Sequence, residues 1–178
     1  LIFDGEVAYV PLTRGYYAII DAEDAPVIGS VNWCVISNKA SMMYAIRSFA
    51  ISNGKYQTVC MHRSLTDAPK GMDVDHINHD SLDNRKHNLR VCSRSQNQQN
   101  QRKCSPGSSH LKGVYWHSQR GKWSAQINAN GKQMHLGLHN TEQEAHQAYC
   151  KASKELHREY GCTISNSQIN QHENRRQA

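Results

Sequence analysis

The segment that decides the fold runs from Val74 to Asn97 and reads VDHINHDSLDNRKHNLRVCSRSQN. Its apolar residues are spaced so that they can hold a small hairpin and a following helix; they are Val74, Ile77, Leu82, Leu89 and Val91. Ser93 is a suitable N-cap for that helix. A hairpin backed by one helix would bring Asp75, His76 and Asn97 around one point, so the segment predicts a compact polar site.

The residue types at this point indicate metal-assisted hydrolysis. Carboxylate and amide oxygens suit Mg²⁺, which keeps several waters and binds substrate phosphate. His76, beside the ion rather than on it, can act as a base towards water. Asp83 and Asn84 are interpreted as turn residues. Mg²⁺ is the expected ion, with Mn²⁺ able to replace it, and no zinc site is expected because the six cysteines contain no C-x-x-C pair.

This pattern resembles the HNH nucleases, in particular the phage and intron homing-endonuclease branch. The stretches 11–15 and 61–65 extend the resemblance upstream. It implies a ββα-metal finger whose first His, here His76, is the general base, with Asp75 and Asn97 holding one divalent ion. Asn88 would lock the hairpin loop, and His62 and Arg63 would brace the finger or touch phosphate. The candidate catalytic residues are therefore His76, Asn88, Arg90 and Arg94, of which the two arginines are candidates for contacting the scissile phosphate.

The chain before this segment is rich in β-forming residues. Runs at 15–20, 31–36, 43–47 and 56–65 predict strands. Asn53-Gly54 between the last two predicts a hairpin with a type I′ turn.

Residues 111–161 predict a second unit of three strands and one helix. The strands are expected at 111–117, 122–129 and 132–138, with Asn130-Gly131 joining the last two. Thr141 and Glu144 form a capping box for a helix whose apolar face carries Ala145, Ala148, Tyr149, Ala152 and Leu156.

This unit resembles the ethylene-responsive-factor DNA-binding domain of plants, through Gly113-Val114, residues 122–127, Leu136-Gly137-Leu138 and residues 141–149. The resemblance implies a three-stranded sheet, packed on one helix, that lies in the major groove. Alternation places Val114, Trp116, Trp123, Ala125, Ile127, Met134 and Leu136 towards the helix. The candidate DNA-binding residues, on the other face or flanking the sheet, are Lys112, Tyr115, His117, Arg120, Lys122, Ser124, Gln126, Asn128, Lys132, Gln133 and His135.

Charge placement indicates a polyanionic partner. The net charge is +6, yet no acid occurs between Asn84 and Thr141, against ten bases in the same stretch. Clustered Lys and Arg favour binding to phosphates because counterions are released. No stretch approaches the length of apolar residues that spans a membrane. The expected partner is double-stranded DNA and no membrane, with a monomer slightly favoured, in the cytoplasm of a bacterial or phage-infected cell.

The expected fold class is α+β: a β-rich N-terminal scaffold leading into a ββα-metal finger, then a three-stranded antiparallel sheet packed on one helix. The expected domains are 1–101, a scaffold and nuclease with the finger at about 73–101; 102–110, a linker; 111–161, the DNA-binding unit; and 162–178, a polar tail. The expected function is a site-directed, metal-dependent DNA endonuclease of homing type. The alternatives are a non-catalytic DNA-binding or regulatory protein that keeps the fold, and a nuclease acting on RNA or on nonspecific DNA.

Overall fold

The computed structural model of the chain describes residues 1–37, 42–103 and 107–163. It divides into two compact units, of which the first is Leu1–Arg94 and the second begins at Ser95. The middle of the predicted linker and nearly all of the predicted polar tail lie outside the described residues.

In the first unit, two small three-stranded antiparallel sheets and two short helices form the N-terminal scaffold, and a two-stranded hairpin follows them. One sheet has the order β1-β2-β3, with β1 at Ile2–Asp4, β2 at Val7–Pro11 and β3 at Tyr17–Asp21. The other has the order β4-β5-β6, with β4 at Cys34–Ser37, β5 at Met43–Ala50 and β6 at Tyr56–Cys60. Helix α1 spans Ala25–Ile28 and helix α2 spans Met61–Thr66.

One core joins both sheets, α1 and α2. It contains Ala8, Val10, Leu12, Ala18, Ile20, Ala25, Ile28, Trp33, Val35, Ala45, Met61 and Leu82. Leu82 comes from the loop of the predicted finger, so burial of this side chain holds that loop against the N-terminal scaffold.

The prediction of a strand through residue 65 is wrong, because the chain turns into α2 at Met61. Met61 is fully buried in the core, and a short apolar run carries no period that separates a strand from a helix. The predicted hairpin turn is present: Asn53 and Gly54 both have positive φ, 62° and 67°.

The deciding segment forms an antiparallel hairpin followed by a helix, as predicted. Strand β7 at Asp73–His76 pairs with β8 at Leu89–Cys92. Helix α3 spans Arg94–Asn100 and so begins directly after Ser93, the predicted N-cap.

The second unit has a sheet of order β11-β10-β9 and helix α4 at Glu142–Leu156. Strand β9 spans Val114–His117, β10 spans Lys122–Ala129 and β11 spans Lys132–His139. The predicted capping box is present, with Glu144 N–H donating to the Thr141 hydroxyl at 3.2 Å and the Glu144 carboxylate accepting from Thr141 N–H at 3.3 Å. The α+β fold class is therefore confirmed.

The helix packs on the sheet mainly through small residues and one tyrosine. Val114, Ala125 and Ala145 form one buried cluster, and Ile127, Tyr149 and Ala152 form a second one beside it. Leu156, predicted to face the sheet, is instead 41% exposed at the last residue of α4. None of the described helices combines the length and the apolar character needed to cross a bilayer.

Candidate active site and DNA-binding surface

Asp75 and Arg90 form a nearly buried ion pair on the β7–β8 hairpin. The two residues are direct cross-strand partners. Arg90 donates from Nη2 and Nε to Asp75 Oδ2, at 2.6 and 2.9 Å. Arg90, a predicted phosphate contact, therefore also fixes the carboxylate of the predicted metal ligand, and loss of either partner would leave a buried charge uncompensated.

His76 ends strand β7 and is 5% exposed. Its Nε2 lies 3.4 Å from Asn84 Oδ1. Asn84 Nδ2 donates to the Leu82 carbonyl at 3.1 Å, which sets the orientation of the amide and presents its oxygen to the imidazole. His76 must then donate from Nε2, so Nδ1 carries the basic lone pair.

Two further aromatic side chains border His76. The rings of His62 and His76 pack edge to face, with their centroids 5.2 Å apart. The centroid of the Tyr44 ring lies 5.8 Å from that of His62 and 6.3 Å from that of His76. Burial, with smaller effects of His76 and Arg63, lowers the pKa of His62 to about 3. Burial also lowers the pKa of His76, against the Asn84 hydrogen bond and the carboxylates of Asp75 and Asp83. Both rings are thus kept neutral at neutral pH.

Asn88 bridges the two ends of the loop between β7 and β8. Its Oδ1 accepts from Asn78 N–H at 2.9 Å and its Nδ2 donates to the Asp83 carbonyl at 2.7 Å. Asp83, only 2% exposed, accepts from Arg85 Nε and Nη2 at 2.8 and 2.7 Å and from Asn78 Nδ2 at 2.9 Å. Burial raises the pKa of Asp83, but the Arg85 and Asn78 hydrogen bonds outweigh it and the net shift is downward.

The same loop is bonded to strand β3 of the N-terminal scaffold. Ile19 N–H donates to the Leu82 carbonyl at 2.8 Å, and Asn84 N–H donates to the Ile19 carbonyl at 2.7 Å. Lys86 N–H donates to Asp21 Oδ2 at 2.7 Å. The scaffold therefore positions the loop that carries Asn84 and Asn88.

Arg63 braces the entry to β7, one of the two roles predicted for it. It donates from Nη1 to the Met72 carbonyl at 2.9 Å and from Nη2 to the Ala68 carbonyl at 3.2 Å.

The structure brings together Asp75, His76, Asn88 and Arg90 on the hairpin and its loop, and it places Arg94 and Asn97 on α3. Arg94 is exposed, and Asn97 is half-buried in the part of α3 that belongs to the second unit. Within the three described stretches of chain, no three or more His, Cys, Asp and Glu side chains are grouped as metal ligands. The carboxylate oxygens of Asp75 and the amide oxygen of Asn97 fit Mg²⁺ in donor chemistry, because that ion takes few protein ligands and keeps waters for substrate phosphate.

In the second unit, pairing sets the predicted DNA-facing residues of the sheet on one face. Cross-strand partners share a face, and these pairs are Tyr115 with Ser124, His117 with Lys122, Gln126 with His135, and Asn128 with Gln133. Lys122, Asn128, Gln133 and His135 are exposed, while Tyr115, His117 and Gln126 are half-buried. Arg120 is exposed in the turn between β9 and β10, and Lys132 is exposed at the start of β11.

Ser124 is fully buried on that face, with its hydroxyl 3.0 Å from His135 Nε2. His135 therefore lies over Ser124 and offers the exposed group at this position.

Two residues predicted to face the helix are not covered by it. Trp116 and Met134 are each 42% exposed. Trp116 packs edge to face against Trp123 at 5.2 Å, from the edge strand β9. Alternation assigns a side chain to a face, but it does not supply the cover that an edge position lacks.

Two lysines are bonded to backbone carbonyls of the second unit. Lys112 Nζ donates to the carbonyls of Gln99, at 2.7 Å, and Gln101. Lys103 Nζ donates to the carbonyls of Ser109 and Val114 at 2.7 and 3.1 Å, and burial lowers the pKa of Lys103. Lys112, predicted to lie near phosphates, thus has a part in holding the segment after α3.

Residues 67–99 match the HNH endonuclease family, and residues 109–159 match the AP2 domain. The chain therefore has one segment that is similar to HNH endonucleases and a second that is similar to AP2 domains. The two resemblances predicted from the sequence are confirmed, and the matches support nuclease activity and DNA as the substrate.

Two relatives give similar results. An uncharacterized HNH endonuclease of Acanthamoeba polyphaga mimivirus is 26% identical over 161 residues, which cover 89% of this chain and 81% of that protein. Protein 3.8 of Escherichia phage T7 is 35% identical over 65 residues, which cover 36% of this chain and 54% of that protein. The chain thus spans about half the length of the phage protein. No solved structure matches the chain.

The sequence does not indicate that Asn84 orients His76, nor which aromatic side chains lie next to His76. Asn84 was interpreted as a turn residue, yet it is 1% exposed and bonded to His76. Tyr44, on β5, is far from His76 in sequence and no motif points to it. The apolar residues on either side of Asn84, Leu82 and Leu89, follow no regular period, so no local pattern indicates that its amide is buried.

Proposed function

We propose that the chain is a site-directed, divalent-metal-dependent DNA endonuclease of homing type, in which His76 is the general base. The observation that carries the proposal is the orientation of His76. Asn84 accepts from Nε2 and is itself held by the Leu82 carbonyl, so the basic Nδ1 is defined before substrate binds. Such preorganisation contributes strongly to general-base catalysis.

In the proposed reaction, His76 Nδ1 takes a proton from a water that attacks the phosphorus of a DNA phosphodiester. The bond to the 3′ oxygen breaks and that oxygen takes a proton from solvent, leaving a 5′ phosphate and a 3′ hydroxyl. Asp75 and Asn97 would hold one Mg²⁺, which when bound neutralises charge on the phosphate and the departing oxygen. Arg90 keeps the Asp75 carboxylate in place, and exposed Arg94 is a candidate phosphate contact.

The second unit would direct cleavage to a site. Its sheet offers Gln126 and Asn128 as candidates to read adenine, because amide side chains can bond both N6 and N7 of that base. Exposed Arg120, Lys122 and Lys132 would contact phosphates on either side.

A second candidate function is DNA binding without cleavage. The observation that favours it is the Asp75–Arg90 ion pair, since an arginine already neutralises the proposed metal ligand. Cleavage tests therefore decide between the two functions.

The test uses a library of circular duplexes that carry random inserts, incubated with protein and either Mg²⁺ or chelator. New ends are captured by ligation, which requires a 5′ phosphate. We expect metal-dependent ends at a restricted set of sequences, and a loss of roughly 10²- to 10⁴-fold in cleavage rate for His76→Ala and for Asn97→Ala. His87→Ala, an exposed neighbour in the same loop, is the matched control.

Positioning by Asn84 has its own variants. Asn84→Ala should lower the single-turnover rate on the order of 10- to 100-fold with little change in DNA affinity. Asn84→Asp keeps an acceptor for Nε2 and should recover part of that loss. Absence of metal-dependent ends from wild-type protein would leave the non-catalytic function, and cleavage that survives both His76→Ala and Asn97→Ala would overturn the assigned roles.

A further inference from the structure

Strands β5 and β6 continue beyond their sheet as a two-stranded ribbon. Strand β4 pairs with β5 only from Met43 to Ile46, whereas β5 and β6 go on pairing from Arg47–Val59 to Ala50–Tyr56. We call residues 47–59 the ribbon. Every residue from Ser48 to Thr58 is exposed, so both faces and the tip of the ribbon lie in solvent.

The ribbon exposes large apolar side chains. Phe49 is 39% exposed, Ile51 is 42% exposed and Tyr56 is 73% exposed. A ribbon with uncovered edges and apolar side chains tends to associate with another surface. An occupant is therefore expected on physical grounds.

The charge of the ribbon indicates which occupant. No Asp or Glu occurs between Asp24 and Asp67, while the ribbon carries Arg47 and Lys55. Neither takes part in an ion pair within the described residues. The Arg47 guanidinium lies over the rings of Phe49 and Trp33, at 5.4 and 5.6 Å, beside an open groove of about 430 Å³ that is lined by Val31, Asn32, Arg47, Ser48 and Phe49.

We propose that the ribbon is a DNA-binding element in its own right and lies in the major groove. The proposal rests on the proposed function, since its partner is the substrate of the nuclease. A two-stranded ribbon fits the width of the major groove. Lys55 at the tip and Arg47 at the base contact phosphates, Gln57 on the same face as Arg47 faces base edges, and the apolar tip contacts sugars and thymine methyls. A second copy of the chain fits less well, because it would place like-charged ribbons together with no acid to pair them.

The ribbon is connected directly to the candidate active site. Strand β6 ends at Cys60 and the chain enters α2 at Met61. The next residue, His62, meets the ring of His76 at 5.2 Å. The base of the ribbon therefore leads directly into the helix whose His62 contacts the proposed general base, within the first unit.

The test measures binding of a fluorescent 30-base-pair duplex of random sequence in chelator, where no cleavage occurs. Lys55→Ala should flatten the slope of log affinity against log salt by roughly 0.9, the value of one phosphate contact. Ile51→Ser/Tyr56→Ser should weaken binding about tenfold or more at fixed salt. Phe3→Ser, exposed on β1, and Lys151→Ala, exposed on α4, are the matched controls and should bind as wild type.

Each result is read against circular dichroism, sedimentation velocity and the cleavage assay. Folded ribbon variants with unchanged affinity and salt slope would overturn the proposal, whether or not the protein cuts DNA. If wild type is a dimer and the Ile51→Ser/Tyr56→Ser variant is a monomer with unchanged DNA affinity, the ribbon would instead be an interface with a second copy of the chain. If the ribbon variants bind DNA more weakly than wild type and the wild-type protein never cleaves, the result would support DNA binding by the ribbon while the nuclease proposal fails.

Discussion

The loop between β7 and β8 and the sheet of the second unit are held by different kinds of contact. The loop between β7 and β8 depends on buried polar side chains, since Asp83, Asn84 and Asn88 are each at most 3% exposed and all are bonded. The sheet of the second unit depends on close packing of Val114, Ala125 and Ala145. Directional bonds fix the orientation of an imidazole, whereas non-directional packing suffices to present a surface. The first unit should therefore respond to polar substitution and pH, and the second to changes of volume.

The largest expected effect is a loss of folding in the second unit through one added methyl group. A Cβ on Gly113, which has φ of +74°, would lie 2.1 Å from Tyr149 Cδ2 and 2.7 Å from the Gln126 carbonyl oxygen. Gly113→Ala should cost more than about 3 kcal/mol, from overpacking and left-handed backbone together. Urea denaturation followed by tryptophan fluorescence measures this loss, because Trp116 and Trp123 report the unfolding of the second unit.

Gly121→Ala is the matched control, because φ is +57° there but nothing lies within 4 Å of the added atom. It should cost only about 1–2 kcal/mol. Equal losses in the two variants would show that backbone conformation, and not packing against Tyr149, limits the second unit.

The next effect is confined to the first unit. Asn88→Ala removes the bonds to Asn78 N–H and to the Asp83 carbonyl. Leaving these buried groups unsatisfied should cost about 2–4 kcal/mol and abolish cleavage. Hydrogen exchange of the loop amides, compared with exposed His87→Ala, measures the change. A stable, active Asn88→Ala would contradict the view that this amide locks the loop.

Acid provides a smaller and graded effect. His62 is 9% exposed, and burial, with His76 and Arg63, lowers its pKa to about 3. The unfolded chain binds a proton near pH 6.5 while the folded chain does not, so stability is lost as pH falls below 6.5 and the loss ends near pH 3. The slope should approach about 1.4 kcal/mol per pH unit, or roughly 2 kcal/mol between pH 6.5 and 5.

His62→Gln should flatten this dependence, and exposed His87→Gln should leave it unchanged. Urea denaturation at a series of pH values tests both. An equal pH dependence in wild type and His62→Gln would mean that His62 is protonated in the folded protein, which would weaken the view that the ring against His76 is neutral.

The same contrast explains what could be predicted from the sequence. The capping box at Thr141 and the hairpin at Asn130-Gly131 are local signals, and the structure has both. The helix at 61–66 and the part of Asn84 depend on partners distant in sequence: Met61 is buried in the N-terminal core, and Asn84 N–H donates to Ile19. No period or turn signal encodes such contacts. The orientation of buried polar side chains therefore could not be predicted from the sequence.

The smallest expected effect separates DNA contact from fold within the second unit. Lys132 is exposed, whereas Lys112 donates to the carbonyls of Gln99 and Gln101. Lys132→Gln should flatten the slope of log DNA affinity against log salt by roughly 0.9 and leave stability unchanged. Lys112→Gln should lower the stability of the second unit by about 1–3 kcal/mol, because charged hydrogen bonds to carbonyls are lost, with little change in slope. Equal slopes for the two variants would show that the Lys112 ammonium leaves the carbonyls to contact phosphate, and the division between a bonded and a DNA-facing lysine would fail.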